Sequence, residues 1–238
     1  MIVIMKKNNI FLIGMILVLA VALYSLNIGR GKASPVNSPA GGKTILLDAG
    51  HGGEDPGAVS DYSELKEKDV NLYVVLQLKK LLESENYNVI LTRSEDKLEY
   101  QSETRNIVQK RREDLTRRKK MMDEAGADIV VSIHLNKFPE SKYFGAQTFY
   151  PPNIPQSQKL ATSIQKSIRE NLDPNNKREA LLKKEPIIIF KDCKTTSVIV
   201  ECGFLSNAEE EKKLQSKEYQ DKIAYAVNEG VKSYYANN

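Results

Sequence analysis

From residue 43 onward, short apolar runs alternate with longer segments whose apolar residues recur at helical spacing. Short apolar runs bounded by turn-forming residues are typical of buried strands. We therefore predict one strand that begins at Thr44. Further strands are predicted over residues 88–92, 129–136, 145–150, 186–190 and 197–201. Helical periodicity is found in residues 67–83, in a charged segment that ends near Gly126, and in residues 157–172 and 219–235.

The regular exchange of strands and helices predicts an α/β fold with a mostly parallel sheet. A chain of 238 residues, of which 41% are hydrophobic, can bury one substantial core, and nothing in its pattern requires a second globular domain. We predict a single domain over residues 43–238.

The N-terminus has a different pattern. Lys6 and Lys7 precede an uncharged, mostly apolar run over residues 10–28. That run is about as long as the roughly 20 residues that span a bilayer, and longer than the roughly 7–15 residues of a signal-peptide core. We predict an uncleaved signal-anchor in residues 1–30, with a signal peptide cleaved after Ala33 as the alternative. Either interpretation exports the rest of the chain, and residues 31–42 have the Pro, Gly and Ser content of a linker.

Charge adds little to this picture. The formal net charge is +4, and both signs are interspersed along the chain. Residues 110–120 are rich in Lys and Arg, which could indicate nucleic-acid binding, but we predict a solvated helix face because an exported protein does not meet nucleic acid.

The candidate chemistry lies at the ends of two predicted strands. The chain has only two histidines; His51 follows the first strand in a glycine-rich turn, and His134 lies in the strand at residues 129–136. Since ligands gather where the carboxyl ends of parallel strands meet, we expect the two imidazoles to share a metal ion. Catalytic zinc usually takes three protein ligands, and either Glu67 or Asp69, at the start of the first helix, could be the third.

One further acid completes the candidate site. Glu201 ends an apolar run, which is an unusual place for a carboxylate. Burial beside a metal site would suit it as a general base and then a general acid.

Four segments of this chain, taken in order, resemble the motifs of the zinc-dependent N-acetylmuramoyl-L-alanine amidases. They are Leu-Asp-Ala-Gly-His-Gly-Gly-Glu-Asp-Pro-Gly-Ala at 47–58, Lys-Glu-Lys-Asp-Val-Asn-Leu at 66–72, Ser-Ile-His-Leu-Asn at 132–136, and Val-Glu-Cys-Gly-Phe-Leu-Ser-Asn at 200–207. The resemblance covers essentially residue 43 to the C-terminus, and it implies a twisted mixed sheet between helices.

The resemblance also implies roles for particular residues. His51, Glu67 and His134 would bind Zn²⁺, and Glu201 would be catalytic. The resemblance thus favours Glu67 over Asp69 as the third ligand. Asn136 would help to orient the substrate. The implied reaction is hydrolysis of the amide between N-acetylmuramic acid and the L-alanine of the peptidoglycan stem peptide.

Within the family, Ser-Ile-His-Leu-Asn and the segments at 145–150 and 219–222 are most similar to the germination-specific, CwlD-type amidases of endospore formers. That similarity implies a role in the spore cortex, in the space where the cortex forms. It leaves open a membrane contact through the N-terminal segment and an activating protein partner.

Other functions stay open from the sequence. A vegetative autolysin would use the same chemistry, a zinc peptidase or deacetylase would use the same metal, and a silent wall-binding or scaffolding module would use neither.

Cys193 and Cys202 could form a disulfide in an oxidising compartment. If strand alternation holds, Cys202 faces away from Glu201, so a catalytic thiol is not expected.

Overall fold

The fold is built on one mixed sheet. A computed structural model describes residues 42–184 and 187–238. Its strands are β1 (Thr44–Ala49), β2 (Asn88–Leu91), β3 (Ile129–Asn136), β4 (Gln147–Tyr150), β5 (Leu181–Leu182) and β6 (Thr196–Phe204). They form a six-stranded sheet in the order β2-β1-β3-β6-β4-β5.

Most neighbouring strands run parallel. β1 pairs in parallel with β2 and β3, β3 with β6, and β4 with β5, whereas β4 and β6 are antiparallel. The predicted α/β fold with a mostly parallel, mixed sheet is therefore confirmed. The three central strands β1, β3 and β6 point the same way, so their carboxyl ends meet at one edge of the sheet.

Five α-helices flank the sheet within the described residues: α1 (Glu67–Ser84), α2 (Ile107–Glu124), α3 (Pro155–Asn171), α4 (Ala208–Leu214) and α5 (Lys217–Ala236). The larger core joins α1, α3 and α5 to one face of the sheet, which carries alternate strand residues such as Leu47, Val131 and Val200. The period-2 alternation of side chains along each strand assigns the intervening residues to the opposite face.

The opposite face has a smaller apolar core. Leu46, Val130 and Ile199 pack there against Met122 of α2 and against Ile189 and Phe190. The last two lie in a 3-10 turn, Ile188–Phe190, so the strand predicted over residues 186–190 is wrong for the part that the structure describes. A short apolar run does not distinguish a strand from another buried segment, and here the run covers the sheet instead of joining it.

Two short elements were not predicted. Helix α4 has 7 residues and β5 has 2, so neither contains enough residues to establish a period.

The two cysteines are free thiols, Cys202 buried and Cys193 partly buried.

The membrane predictions concern a different part of the chain. None of the helices in residues 42–184 and 187–238 has the length and hydropathy needed to cross a bilayer. The signal-anchor or signal peptide predicted at residues 1–30, and all but the last residue of the linker predicted at 31–42, lie outside the described residues.

Candidate active site

The predicted site residues converge at the edge where the central strands end. His51 follows β1, His134 lies near the end of β3, and Glu201 lies opposite His134 in β6. Glu67 is the first residue of α1, which begins beside the same edge. Four residues that are far apart in sequence therefore share one crevice, because parallel register brings the strand ends together.

Three of these side chains form a compact cluster. Glu67 Oε1 lies 2.9 Å from His134 Nδ1 and 3.3 Å from His51 Nε2. The two imidazole rings are nearly perpendicular, with their centroids 5.2 Å apart. One donor atom from each residue lies within 4.8 Å of the others, so the cluster could hold a metal ion.

His51 is oriented by a carboxylate that the sequence analysis did not single out. Asp55, which is buried, accepts a hydrogen bond from His51 Nδ1 at 2.7 Å, and this leaves Nε2 facing Glu67. Burial lowers the pKa of His51, but the hydrogen bonds to Asp55 and Glu67 outweigh burial and raise it to about 10. The site thus favours a positive charge. The signal in the sequence was an acid four residues after the histidine, within the same turn.

Glu67 is fixed more firmly than its neighbour Asp69. Its Oε2 accepts the backbone N–H of Ala58 at 2.8 Å, and its Oε1 accepts that of Leu135 at 3.0 Å. Burial opposes ionisation, yet the two histidines hold the pKa of Glu67 well below its usual range. Asp69 is exposed to solvent, so the geometry selects Glu67 as the carboxylate of the cluster.

Glu201 lies on the adjacent strand, between His134 on β3 and Gln147 on β4. Among the described residues, its buried Oε2 has no hydrogen-bond partner. Burial raises the pKa of this carboxyl, partly offset by the nearby His134. Asn136 ends β3 two residues after His134; it is partly exposed, and its carbonyl accepts the N–H of Leu205 at 2.8 Å.

Two buried arginines hold the turn that carries His51. Arg118 of α2 donates to the carbonyls of Ala49 at 2.5 Å and His51 at 2.7 Å. Arg93 donates to the carbonyls of Ala49 at 2.9 Å and Gly50 at 3.1 Å. Both guanidinium groups therefore support the backbone of the turn.

Arg118 also belongs to a buried ion network. It contacts Asp48 Oδ1 at 3.0 Å and Asp114 Oδ2 at 2.7 Å, and all three side chains are at most 2% exposed. The basic run at 110–120 is therefore not a wholly solvated helix face. The spacing of Arg111, Asp114 and Arg118 places them on one side of α2, and Arg111 reaches Asp55 Oδ1 at 2.8 Å.

Comparison with known proteins gives a consistent picture. The sequence profile of the N-acetylmuramoyl-L-alanine amidase family (Amidase_3) matches residues 45–233. The germination-specific N-acetylmuramoyl-L-alanine amidase of Bacillus subtilis (strain 168) is 35% identical over 225 residues, which cover 94% of this chain and 93% of that protein. The N-acetylmuramoyl-L-alanine amidase LytC of the same strain is 32% identical over 205 residues, which cover 85% of this chain but 38% of LytC.

Among solved structures, the CwlD amidase from Clostridioides difficile in complex with the GerS lipoprotein is similar to this chain. The two are 44% identical with a TM-score of 0.80, and the match covers 82% of this chain and 100% of the CwlD chain.

Proposed function

Because the chain belongs to the N-acetylmuramoyl-L-alanine amidase family and has that activity, we propose that it performs the hydrolysis with a zinc ion held by His51, Glu67 and His134. The observation that carries this proposal is the convergence of the three donor atoms within 4.8 Å. The substrate is the amide between N-acetylmuramic acid and the L-alanine of the peptidoglycan stem peptide.

The residues fit zinc by their chemistry. Two imidazoles and one carboxylate are a donor set of catalytic zinc sites, which leave a further position open. Asp55 holds Nδ1 of His51 and so presents Nε2, and such outer carboxylates commonly orient zinc-binding histidines. When bound, zinc supplies a Lewis acid that polarises the scissile carbonyl and activates water.

Glu201 is the proposed general base. It lies beside His134 in the strand register, and its unpaired, buried oxygen is available to a water molecule or a substrate N–H. The raised pKa of this carboxyl favours proton transfer in both directions, since a base must take a proton and later release it. Glu201 would take the proton from the attacking water and deliver it to the leaving amine of L-alanine. Asn136, on the same face of β3 as His134, would help to orient the substrate.

We propose a role in the spore cortex and germination. The supporting observation is that the germination-specific relative matches over more than nine-tenths of both chains. A vegetative autolysin is the second candidate, supported by the 32% identity to LytC. Either role requires export, and the segment at residues 1–30 would supply it and anchor the chain in the membrane.

A protein partner is also proposed. The CwlD relative is in complex with the GerS lipoprotein, and this chain would bind a partner of that kind for stability of the site or for activity.

The decisive experiment is mass spectrometry of peptidoglycan digested by the zinc-loaded chain, beside Glu201→Gln and His134→Ala variants. Free stem peptides beginning with L-alanine should appear only with the unsubstituted chain. Metal analysis should find zinc in Glu201→Gln and little in His134→Ala. Full zinc in His134→Ala would overturn the ligand assignment, and a turnover of Glu201→Gln equal to the unsubstituted rate would overturn the base.

The spore role needs a different comparison. Cortex peptidoglycan and vegetative peptidoglycan should be digested side by side at equal enzyme. Faster release from cortex material supports the germination role, and faster release from vegetative wall supports the autolysin.

A further inference from the structure

A cleft beside the catalytic residues carries chemistry that the reaction described so far does not use. It lies between the loop at residues 142–144 and the loop at residues 175–178, with a volume of ≈ 290 Å³. Its walls combine the cations Lys142, Lys177 and Arg178 with the rings of Tyr143 and Phe144. Phe144 is 54% exposed, so an apolar surface is open next to the charges.

The positive charge of this basic cleft is largely unneutralised. Within residues 42–184 and 187–238, no carboxylate forms an ion pair with Lys142 or Lys177. Arg178 donates to two neutral oxygens, Phe144 O at 2.6 Å and Gln147 Oε1 at 2.8 Å. The nearby acid Glu210 is buried, and its oxygens accept backbone N–H groups at 2.8 and 2.9 Å. The cleft therefore favours an anion.

The wall that carries Lys177 and Arg178 is rigid. Asn176 is buried; its Nδ2 donates to Ala146 O at 2.8 Å, and its Oδ1 accepts the N–H of Arg178 at 2.9 Å. Arg169 of α3 donates to the carbonyls of Asn176 at 3.0 Å and Arg178 at 2.9 Å. A surface held in this way loses little conformational entropy when a ligand binds.

A chain of contacts links the basic cleft to the catalytic residues. Arg178 contacts Gln147 of β4, and Gln147 faces Glu201 across the antiparallel pair. Directly opposed residues in such a pair have Cα atoms about 4.5–5.5 Å apart. The guanidinium of Arg178 thus lies on the order of 10 Å from Glu201, which is about three residues of extended peptide at roughly 3.3–3.6 Å each.

We propose that the basic cleft binds the carboxylates of the acidic stem peptide that follows the scissile amide. The proposal requires a stem peptide with carboxylates one to three residues beyond the scissile amide, because that is the distance at which they would meet Arg178, Lys177 and Lys142. Tyr143 and Phe144 contact the aliphatic part of the same peptide. The cleft thereby selects acidic stem peptides over amidated ones.

The test measures binding without turnover, in the full-length zinc-loaded chain carrying Glu201→Gln. The probes are N-acetylmuramoyl-L-alanyl-D-glutamate and its diamide, whose equilibrium dissociation constants are measured by calorimetry. In this background, Lys142→Gln with Lys177→Gln removes two exposed charges and no backbone contact. Lys166→Gln with Lys222→Gln is the matched control, because both lysines lie on exposed helix faces and each pairs with a glutamate one helical turn away.

The Lys142/Lys177 double variant should bind the acidic probe about two- to thirtyfold more weakly, since two exposed ion pairs contribute about 0.2–1 kcal/mol each. The dissociation constant of the diamide for this double variant should equal that for the Glu201→Gln parent chain. The control double variant should bind both probes with the same dissociation constants as the parent chain. Equal weakening for both probes, no weakening, or no preference of the parent chain for the acid would overturn the proposal. Missing zinc or missing hydrolysis in the unsubstituted chain would count against the proposed metal chemistry. The difference between the dissociation constants of the acidic probe and the diamide would still decide whether the cleft binds carboxylates.

Discussion

Replacing Arg118 with methionine tests whether the turn that carries His51 depends on charge. Arg118 is 1% exposed and bonds to Asp48, to Asp114, and to the carbonyls of Ala49 and His51. Methionine has a similar length and no donors, so Arg118→Met removes one donor from each of these buried oxygens, while Ala49 O keeps the hydrogen bond from Arg93.

The magnitude follows from the burial of the two carboxylates. Removing one partner of a buried ion pair typically costs about 3–5 kcal/mol, because an uncompensated charge stays behind. Asp48 keeps hydrogen bonds from Thr92 Oγ1 and Ser132 Oγ, both at 2.6 Å. Asp114 keeps its ion pair with Arg117 at 2.8 Å, so the loss is limited at both carboxylates and falls toward the lower end of this range. We expect Arg118→Met to lower the free energy of unfolding by about 3–5 kcal/mol at pH 7, a large fraction of the roughly 5–15 kcal/mol of an ordinary domain.

The pH dependence gives a sharper signature. Burial alone raises the pKa of Asp48, but Arg118, His134 and the hydroxyls of Ser132 and Thr92 outweigh burial and lower it to about 2. A folded pKa below the unfolded value means that this stabilisation is present above about pH 4 and is lost as pH falls toward 2. Without Arg118, burial raises the pKa of Asp48, so the carboxyl takes up a proton at higher pH. The deficit of the variant should therefore shrink between pH 7 and pH 4.

Urea denaturation followed by circular dichroism at several pH values measures both effects. Asp48→Asn in the Arg118→Met background should recover part of the loss, because the amide removes one of the stranded charges. A deficit below about 1 kcal/mol at pH 7, or one that does not change with pH, would refute an electrostatic support of the turn and indicate that solvent reaches the network.

Three further substitutions test the site. Glu201→Gln should retain zinc and lower kcat on the order of 100- to 10,000-fold; a near-normal kcat measured on soluble muropeptide would remove Glu201 from proton transfer. Asp55→Asn should weaken zinc binding on the order of 10- to 100-fold in a chelator competition, and an unchanged affinity would contradict its orienting role. A Cβ at Gly57, where φ is +67°, would lie 2.6 Å from Glu67 Oε2, so Gly57→Ala should reduce zinc content. Gly126→Ala, at the same φ with open space around it, should affect stability alone, and equal zinc loss in both variants would exclude the steric explanation.

The metal cluster was predictable because its residues occupy positions that the sheet topology fixes. His51, His134 and Glu201 end apolar runs, and parallel strands bring such ends together whatever their distance in sequence. The choice between Glu67 and Asp69 was different. Periodicity assigned both to the first turn of a helix and did not choose between them. The resemblance to the amidases favoured Glu67, and the hydrogen bonds that Ala58 and Leu135 donate to it give the physical reason.

The supporting charges were harder to predict. Asp114 and Arg118 lie within a run of basic residues, and such a run is usually a solvated helix face. Burial of a charge depends on partners from other elements, here Asp48 and the carbonyls of the β1 turn. The i,i+4 spacing of Asp114 and Arg118 was visible in the sequence, but the same spacing serves exposed ion pairs equally well.

The geometry of the turn explains why charge and not apolar packing supports it. The chain after β1 enters left-handed backbone, with φ of 64° at His51 and 53° at Gly53, so its carbonyls turn away from the strand ladder and need other donors. Apolar side chains cannot supply donors, whereas each guanidinium offers several in a fixed plane. Arg93 and Arg118 therefore satisfy the carbonyls of the turn, while Asp55 holds the ring of His51 through Nδ1. An apolar replacement at either arginine removes donors from the backbone that carries His51, so we expect stability and metal affinity to fall together at these positions.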